Sequence, residues 1–326
     1  MDKSKKARRK IFDAYAGNFR NYLDAIDWKL MAYTNKSLAE YNGKAYACPL
    51  CWQIFFEHQI EEKSNGENYL TLEHNPPKAS GGKPTILTCK KCNNNNGTRL
   101  DETVRKLLIA ESFLLNDGAT ISAKISVDER PMAANLKKEE NRVYIAPVKK
   151  SNPPAFDFIF QPRHRNLPIP VKINLEVPEW EEYSYGLLKI AYLKAFELFG
   201  YHFADMGNGA NIRDVLSREM EYPCPNNGVI DINADIEMSG VRIVVAPEDL
   251  QALVITQKLT VKTENGYAEK NIPVILPAPM PDGWQKLANY RKYFQKKVNL
   301  TFEKFEIKQI PIQNIHDYYR MFKPEQ

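Results

Sequence analysis

Two cysteine pairs constrain this chain more than any other feature. Cys48-Pro49-Leu50-Cys51 and Cys89-Lys90-Lys91-Cys92 each place two thiols on one tight turn, and the asparagine run Asn93-Asn94-Asn95-Asn96 follows directly. Four thiolates in two such pairs are a ligand set that tetrahedral zinc prefers, each sulfur about 2.3 Å from the metal. One ion shared by both pairs forces the chain between them to close on itself, so residues 52–88 must fold as an insertion within the metal cage. The rival reading, a redox dithiol, needs only one pair and a thioredoxin-like βαβ setting, which the surrounding pattern lacks. Cys224, in Tyr222-Pro223-Cys224-Pro225, stands apart and carries no motif. Cysteines grouped as metal ligands rather than as a disulfide framework fit a reducing compartment, and the expected location is the cytoplasm.

The insertion carries Thr71-Leu72-Glu73-His74-Asn75-Pro76-Pro77. Phosphodiester hydrolysis needs an activated water, stabilisation of charge on the phosphate and relief of charge on the leaving oxygen, and one divalent cation supplies the last two. Histidine, which titrates near neutrality, is the natural base for the water. A carboxylate and an amide carbonyl are hard oxygen donors of the kind magnesium prefers. By residue type His74, Glu73 and Asn93 match these three roles. Adjacent side chains on a strand point to opposite faces, so Glu73 and His74 serve one site only at a strand end or bend, and Asn75-Pro76-Pro77 supplies such a break. The plainer readings are a structural His74, asparagines that only cap a helix, and a zinc knuckle without catalysis. Among the other histidines, His58 reads as a surface or packing residue and His164 as a loop residue between two arginines. His202 and His316 carry no motif.

The order of these elements resembles that of HNH endonucleases with the ββα-metal fold and a four-cysteine zinc site, and the phage Holliday-junction resolvases are similarly arranged. The likeness runs through Leu70-Thr71-Leu72-Glu73-His74-Asn75-Pro76-Pro77, Gly81-Gly82 and Leu87-Thr88-Cys89-Lys90-Lys91-Cys92-Asn93, and covers about residues 45–105. It implies structural Zn2+ on Cys48, Cys51, Cys89 and Cys92. It further implies His74 as general base and Glu73 and Asn93 as ligands of a catalytic Mg2+ or Mn2+. Asn96, about one helical turn beyond Asn93, is the substitute for that ligand. A glutamate stands where aspartate or histidine is often found, which lengthens the reach to the metal by one methylene. The implied activity is hydrolysis of double-stranded DNA leaving a 5′-phosphate and a 3′-hydroxyl, in restriction or anti-phage defence. Lys78, Lys83, Lys90, Lys91 and Arg99 surround the cysteines as candidate phosphate contacts. The alternative of another class is a non-catalytic, zinc-dependent nucleic-acid-binding or scaffold subunit of a larger complex.

At 326 residues, 43% of them hydrophobic and 26% charged, the chain is expected to be an α+β globular protein of more than one domain. It has no long apolar run of the kind that crosses a membrane. The basic start, Lys3, Lys5, Lys6, Arg8, Arg9 and Lys10, lacks the apolar core of a signal peptide. Phe12, Tyr15, Phe19, Tyr22, Leu23, Ile26 and Leu30 predict an amphipathic helix over 11–38. The expected organisation is a basic helical N-terminal arm (1–44), a treble-clef-like ββα-metal zinc module (45–118), a connecting segment (119–155) and a larger α+β domain with a mainly antiparallel sheet (156–326). In that last region, apolar spacing predicts a helix over 187–199. Strands are expected at 171–175, 241–245, 253–261, 272–276 and 300–310, and Pro273 sends the fourth of these to a sheet edge. The expected partners are DNA and, for the C-terminal region, a second copy of the chain or a defence-system subunit.

Overall fold

The computed structural model describes residues 3–25, 44–60, 67–115, 118–127, 129–139, 142–148, 171–175, 177–205, 208–230, 240–263, 266–293 and 296–304. The second half of the expected first helix (26–38), His164, His316 and the end of the last expected strand (305–310) lie outside the described residues. The fold is α+β, and every strand pairing whose register is described is antiparallel. The chain forms two compact units, the first from 1–101, 184–259 and 271–326 and the second from 102–183 and 260–270. Among the described residues no helix is long and apolar enough to cross a membrane.

The first unit has an aromatic core. Helix α1 (Lys3–Ala25) buries Phe12, Tyr15, Phe19 and Tyr22, the expected stripe, and is part of the core rather than a free arm. Tyr15 stacks on Phe196 at 5.1 Å between ring centroids, and Phe19 meets Tyr201 at 4.6 Å. Tyrosine suits such a core because its hydroxyl finds a backbone partner when the ring is buried. Tyr46 donates to the Leu87 carbonyl at 2.7 Å and accepts from the Leu87 N–H at 3.2 Å.

Strands β1 (Ala45–Ala47) and β2 (Ile54–Phe56) form a short hairpin around the first cysteine pair. Strands β3 (Leu70–Asn75) and β4 (Lys83–Cys89) form a second. Its register shifts between Glu73, opposite Ile86, and His74, opposite Pro84, which leaves Thr85 as the extra residue of a bulge. Gly82 closes the connecting loop where the backbone doubles back: a Cβ there would lie 1.4 Å from the Pro76 carbonyl oxygen. From Cys89 the chain turns directly into helix α2 (Lys90–Asn96), passes through a π-helical turn (Gly97–Asp101) and continues as α3 (Glu102–Leu114), where the second unit begins.

Helix α4 (Trp180–Phe199) starts earlier than its apolar spacing predicts and belongs to the first unit from Ser184 onward. Helices α5 (Tyr201–Asp205) and α6 (Asn208–Ser217) follow. The remaining sheet has the order β11 (Gly266–Pro277), β10 (Ala252–Thr263), β9 (Gly240–Ala246), β12 (Thr301–Lys304). Pro273 lies on its edge strand, as a residue without an N–H requires.

In the second unit the sheet order is β7 (Arg142–Pro147), β6 (Arg130–Glu139), β5 (Thr120–Val127), β8 (Val171–Asn174). Ala110 and Phe113 of α3 pack on Ile121, Ile125, Met132 and Leu136 of this sheet. The stretch 119–155, expected as a connecting segment, thus carries three paired strands as far as Pro147.

Candidate zinc centre and adjoining polar site

The four thiols of the two pairs converge. The sulfurs of Cys48, Cys51, Cys89 and Cys92 all lie within 4.8 Å of one another. Cys51 and Cys89 are 3.8 Å apart, which is about the edge of a tetrahedron whose corners stand 2.3 Å from a central zinc. The first pair is presented by the turn between β1 and β2, where the Cys48 carbonyl accepts the Trp52 N–H at 2.8 Å and the Cys48 N–H donates to Gln53 at 2.9 Å. The second pair is presented by a helix start: Cys89 is the N-cap of α2, and its sulfur accepts the Cys92 N–H at 3.4 Å. The Cys48 sulfur accepts the Cys89 N–H, also at 3.4 Å. Such bonds, and the positive end of a helix, favour thiolate over thiol.

Crowding makes the thiols titrate together. Burial pushes Cys48 well up, while a hydrogen bond from Cys48 draws Cys89 down. A divalent ion resolves this conflict, because it binds all four as thiolates. The residues present fit zinc in donor type, spacing and hydrogen bonding.

Asn93, directly after the last cysteine, is not a cap but lies in the first turn of α2. Its amide Nδ2 donates to Thr71 Oγ1 at 2.9 Å and to the Leu72 carbonyl at 3.0 Å. Both protons of the amide nitrogen are thereby used on β3, and the side-chain oxygen is turned to the other end of the planar group. Asn93 is half-buried, as is Asn96. His74, two residues beyond Leu72, is also half-buried and makes no hydrogen bond among the described residues. Burial, then the nearby Lys78 ammonium, lowers its pKa below the ordinary histidine value, with Glu73 opposing.

Glu73 takes a different course. It is 2% exposed, and its Oε1 lies 2.8 Å from the Lys189 ammonium while its Oε2 accepts the Thr88 hydroxyl at 2.9 Å. Lys189 comes from α4 and also meets Asp101 Oδ1 at 2.9 Å. Burial acts against the lysine's charge, but Glu73 and then Asp101 outweigh it and raise its pKa. Burial raises the pKa of Asp101, against the pull of Lys189. A second, oxygen-ligated ion therefore finds one fitting donor in the Asn93 carbonyl oxygen. The Glu73 carboxylate already has both oxygens engaged in an interior site. No hydrogen bond or ion pair joins Glu73 to Asn93, or either of them to His74, among the described residues.

The π turn explains how Asp101 reaches the lysine. Regular α-helical steps of about 100° would leave position 101 about 80° around the axis from Asn93. One residue of widening removes about one such step, returning Asp101 to within about 20° of the Asn93 face.

Of the basic residues, Lys78, Lys83 and Lys91 are exposed. Lys90 donates to the Tyr69 hydroxyl at 2.9 Å, and Arg99 to the Leu216 carbonyl at 3.2 Å. Arg8 donates to the Ile60 carbonyl at 3.1 Å and Arg9 pairs with Glu57, so part of the basic N-terminal stretch is folded onto the chain. Exposed His58 stacks on Phe56, and His202 is buried.

Comparison with known protein families, with curated proteins and with solved structures finds no match in any of the three. Chemistry and geometry therefore carry the functional reading. Lys189 and Asp101 are the polar residues that the sequence pattern passed over. The signal was a single charged residue inside the apolar run Leu187-Leu188-Lys189-Ile190-Ala191, since lysine is rarely buried unless paired.

Proposed function

We propose that the chain is a metal-dependent endonuclease hydrolysing phosphodiester bonds of double-stranded DNA, of the HNH type its motif order resembles, with restriction or anti-phage defence as its setting. The observation that carries this reading is the double hydrogen bond from Asn93 to β3. It fastens the helix after the cysteines to the strand that carries His74, and leaves an amide oxygen as a donor for an ion. Cys89 and Cys92 tie the same helix start into the four-cysteine cluster. His74 accepts the proton of the attacking water, and its lowered pKa keeps the imidazole neutral, as a base must be. A bound Mg2+ or Mn2+ would supply charge stabilisation at the phosphate and at the leaving oxygen. Asn93 would hold it, with Asn96 one turn further along as the substitute. Lys78, Lys83 and Lys91, all exposed, would supply the phosphate contacts.

One observation favours the second reading, a zinc-dependent nucleic-acid-binding scaffold: the interior ion pair that occupies Glu73. Supercoiled plasmid separates the two. Nicking with Mg2+ or Mn2+ that EDTA stops, and that His74→Ala lowers by about a hundredfold or more at unchanged zinc content, is the expected result. Salt-sensitive gel retardation without nicking in the wild type would overturn the enzyme reading.

A further inference from the structure

The oxygens around Lys189 match its donors. Its Nζ lies 2.8 Å from Glu73 Oε1, 2.9 Å from Asp101 Oδ1 and 3.1 Å from Asp101 Oδ2. An ammonium has three N–H bonds to give and nothing with which to accept. The other Glu73 oxygen takes the Thr88 hydroxyl. Two carboxylates, one from a strand end and one from a π turn, converge on one cation in an interior where Lys189 is 1% exposed. Divalent ions are held by carboxylates in the same way. Here the cation is covalently part of the chain.

The geometry points to Lys189 as a built-in cation that fills the position between Glu73 and Asp101, so that Glu73 positions the strand end beside His74 instead of ligating the catalytic ion. The statement about the catalytic ion rests on the nuclease reading; the occupation of the cation position does not. Lys189 and Glu73 are on this assignment positioning residues. Asp101 shares the Asn93 face of the helix through the π turn, so the lysine clamp sets how that face meets β3. The Asn93 side-chain oxygen, with no hydrogen-bond partner among the described residues, would then be the chain's own donor to the ion, as suits a magnesium ion that keeps several waters.

Two measurements on the full-length, zinc-loaded chain test this. The first labels the lysine side chains and follows the ε-ammonium of Lys189 by NMR, its signal assigned by its loss in Lys189→Arg. Mg2+ titrated through the range that supports nicking is expected to leave that signal in place. A shift toward the position of exposed lysines means that the ion has taken Glu73 from Lys189, and overturns the assignment. The second counts bound Mn2+ by electron paramagnetic resonance in the absence of DNA. Lys189→Met leaves two carboxylates facing one another and is expected to gain an Mn2+ ion that the wild type lacks, lost again in the Glu73→Gln/Lys189→Met double variant. A folded Lys189→Met protein with no added ion, or an added ion that survives in the double variant, overturns it. A wild type that binds DNA without nicking defeats the nuclease reading alone, and the manganese count still decides the role of Lys189. Should Lys189→Met fail to fold, the wild-type NMR titration decides by itself.

Discussion

Burial and the Lys78 ammonium both work against a proton on His74, and Glu73 works for it. If the neutral imidazole is the base, the rate rises with pH through the histidine midpoint and levels above it. The midpoint should fall below the ordinary histidine value of about 6.5. Lys78→Gln removes a charge that disfavours protonation, so it should move the midpoint upward while leaving the shape of the profile. The check is kcat/KM for plasmid nicking from about pH 5 to about pH 8 in both proteins, with the midpoint as the readout because a lost phosphate contact changes only the amplitude. A midpoint unmoved by Lys78→Gln, or one that moves down, would remove Lys78 from the environment of the base. At the same scale Cys224 is 3% exposed, and burial pushes its thiol up to about 12. It therefore stays protonated and inert, which agrees with its isolation in the sequence.

Cys89 serves two elements, as one of the four clustered thiols that fit zinc and as the N-cap of α2. Serine is also a favoured N-cap, so Cys89→Ser separates the two roles by keeping the cap and losing the thiolate. Structural zinc contributes folding free energy on the order of 10 kcal/mol in small zinc domains. Cys89→Ser is therefore expected to lower zinc content and melting temperature together, and metal analysis beside thermal unfolding checks it. A zinc-free variant that melts with the wild type would mean that the cage is dispensable. The cage was legible because ligand type and spacing are local properties of the chain. So were the long apolar helix and the edge strand carrying Pro273. The three strands of 119–155 were not, because Met132, Ala134 and Leu136 alternate with weak contrast, and Lys137-Lys138-Glu139 disguises the end of β6. The π turn has no compositional signature. Lys189 and its partner Glu73 stand 116 positions apart, and no periodicity along one segment reports such a contact.

The division of the chain differs in kind from a row of successive domains. Residues 184–259 belong to the same unit as the cysteine module, although a long stretch of the second unit separates them in sequence. The segment that follows Ser184 supplies much of what holds the module in shape. Tyr192 donates to the Pro49 carbonyl at 2.7 Å inside the first cysteine turn, and Tyr201 donates to the Ala47 carbonyl at 2.8 Å while accepting the Ala47 N–H at 2.9 Å. Asn75 donates to the Ile190 carbonyl at 3.1 Å, and Lys189 neutralises Glu73. Without that segment, Glu73 loses Lys189 while Tyr15 and Phe19 lose Phe196 and Tyr201, and removing one member of a buried ion pair by itself costs about 3 to 5 kcal/mol. That is a large share of a total stability of about 5 to 15 kcal/mol. A fragment covering 1–118 retains every cysteine of the cage together with His74 and Asn93, so a self-sufficient module would fold, bind zinc and nick plasmid. The structure leads to the opposite expectation: the fragment should unfold without a cooperative transition, release zinc readily to a chelator and show no nicking, while the full chain does none of these. Circular dichroism melting and a colorimetric zinc-release assay on the two proteins side by side are the measurement, and a fragment that melts cooperatively at the full chain's temperature would show that α4 and α5 only cover a module already complete.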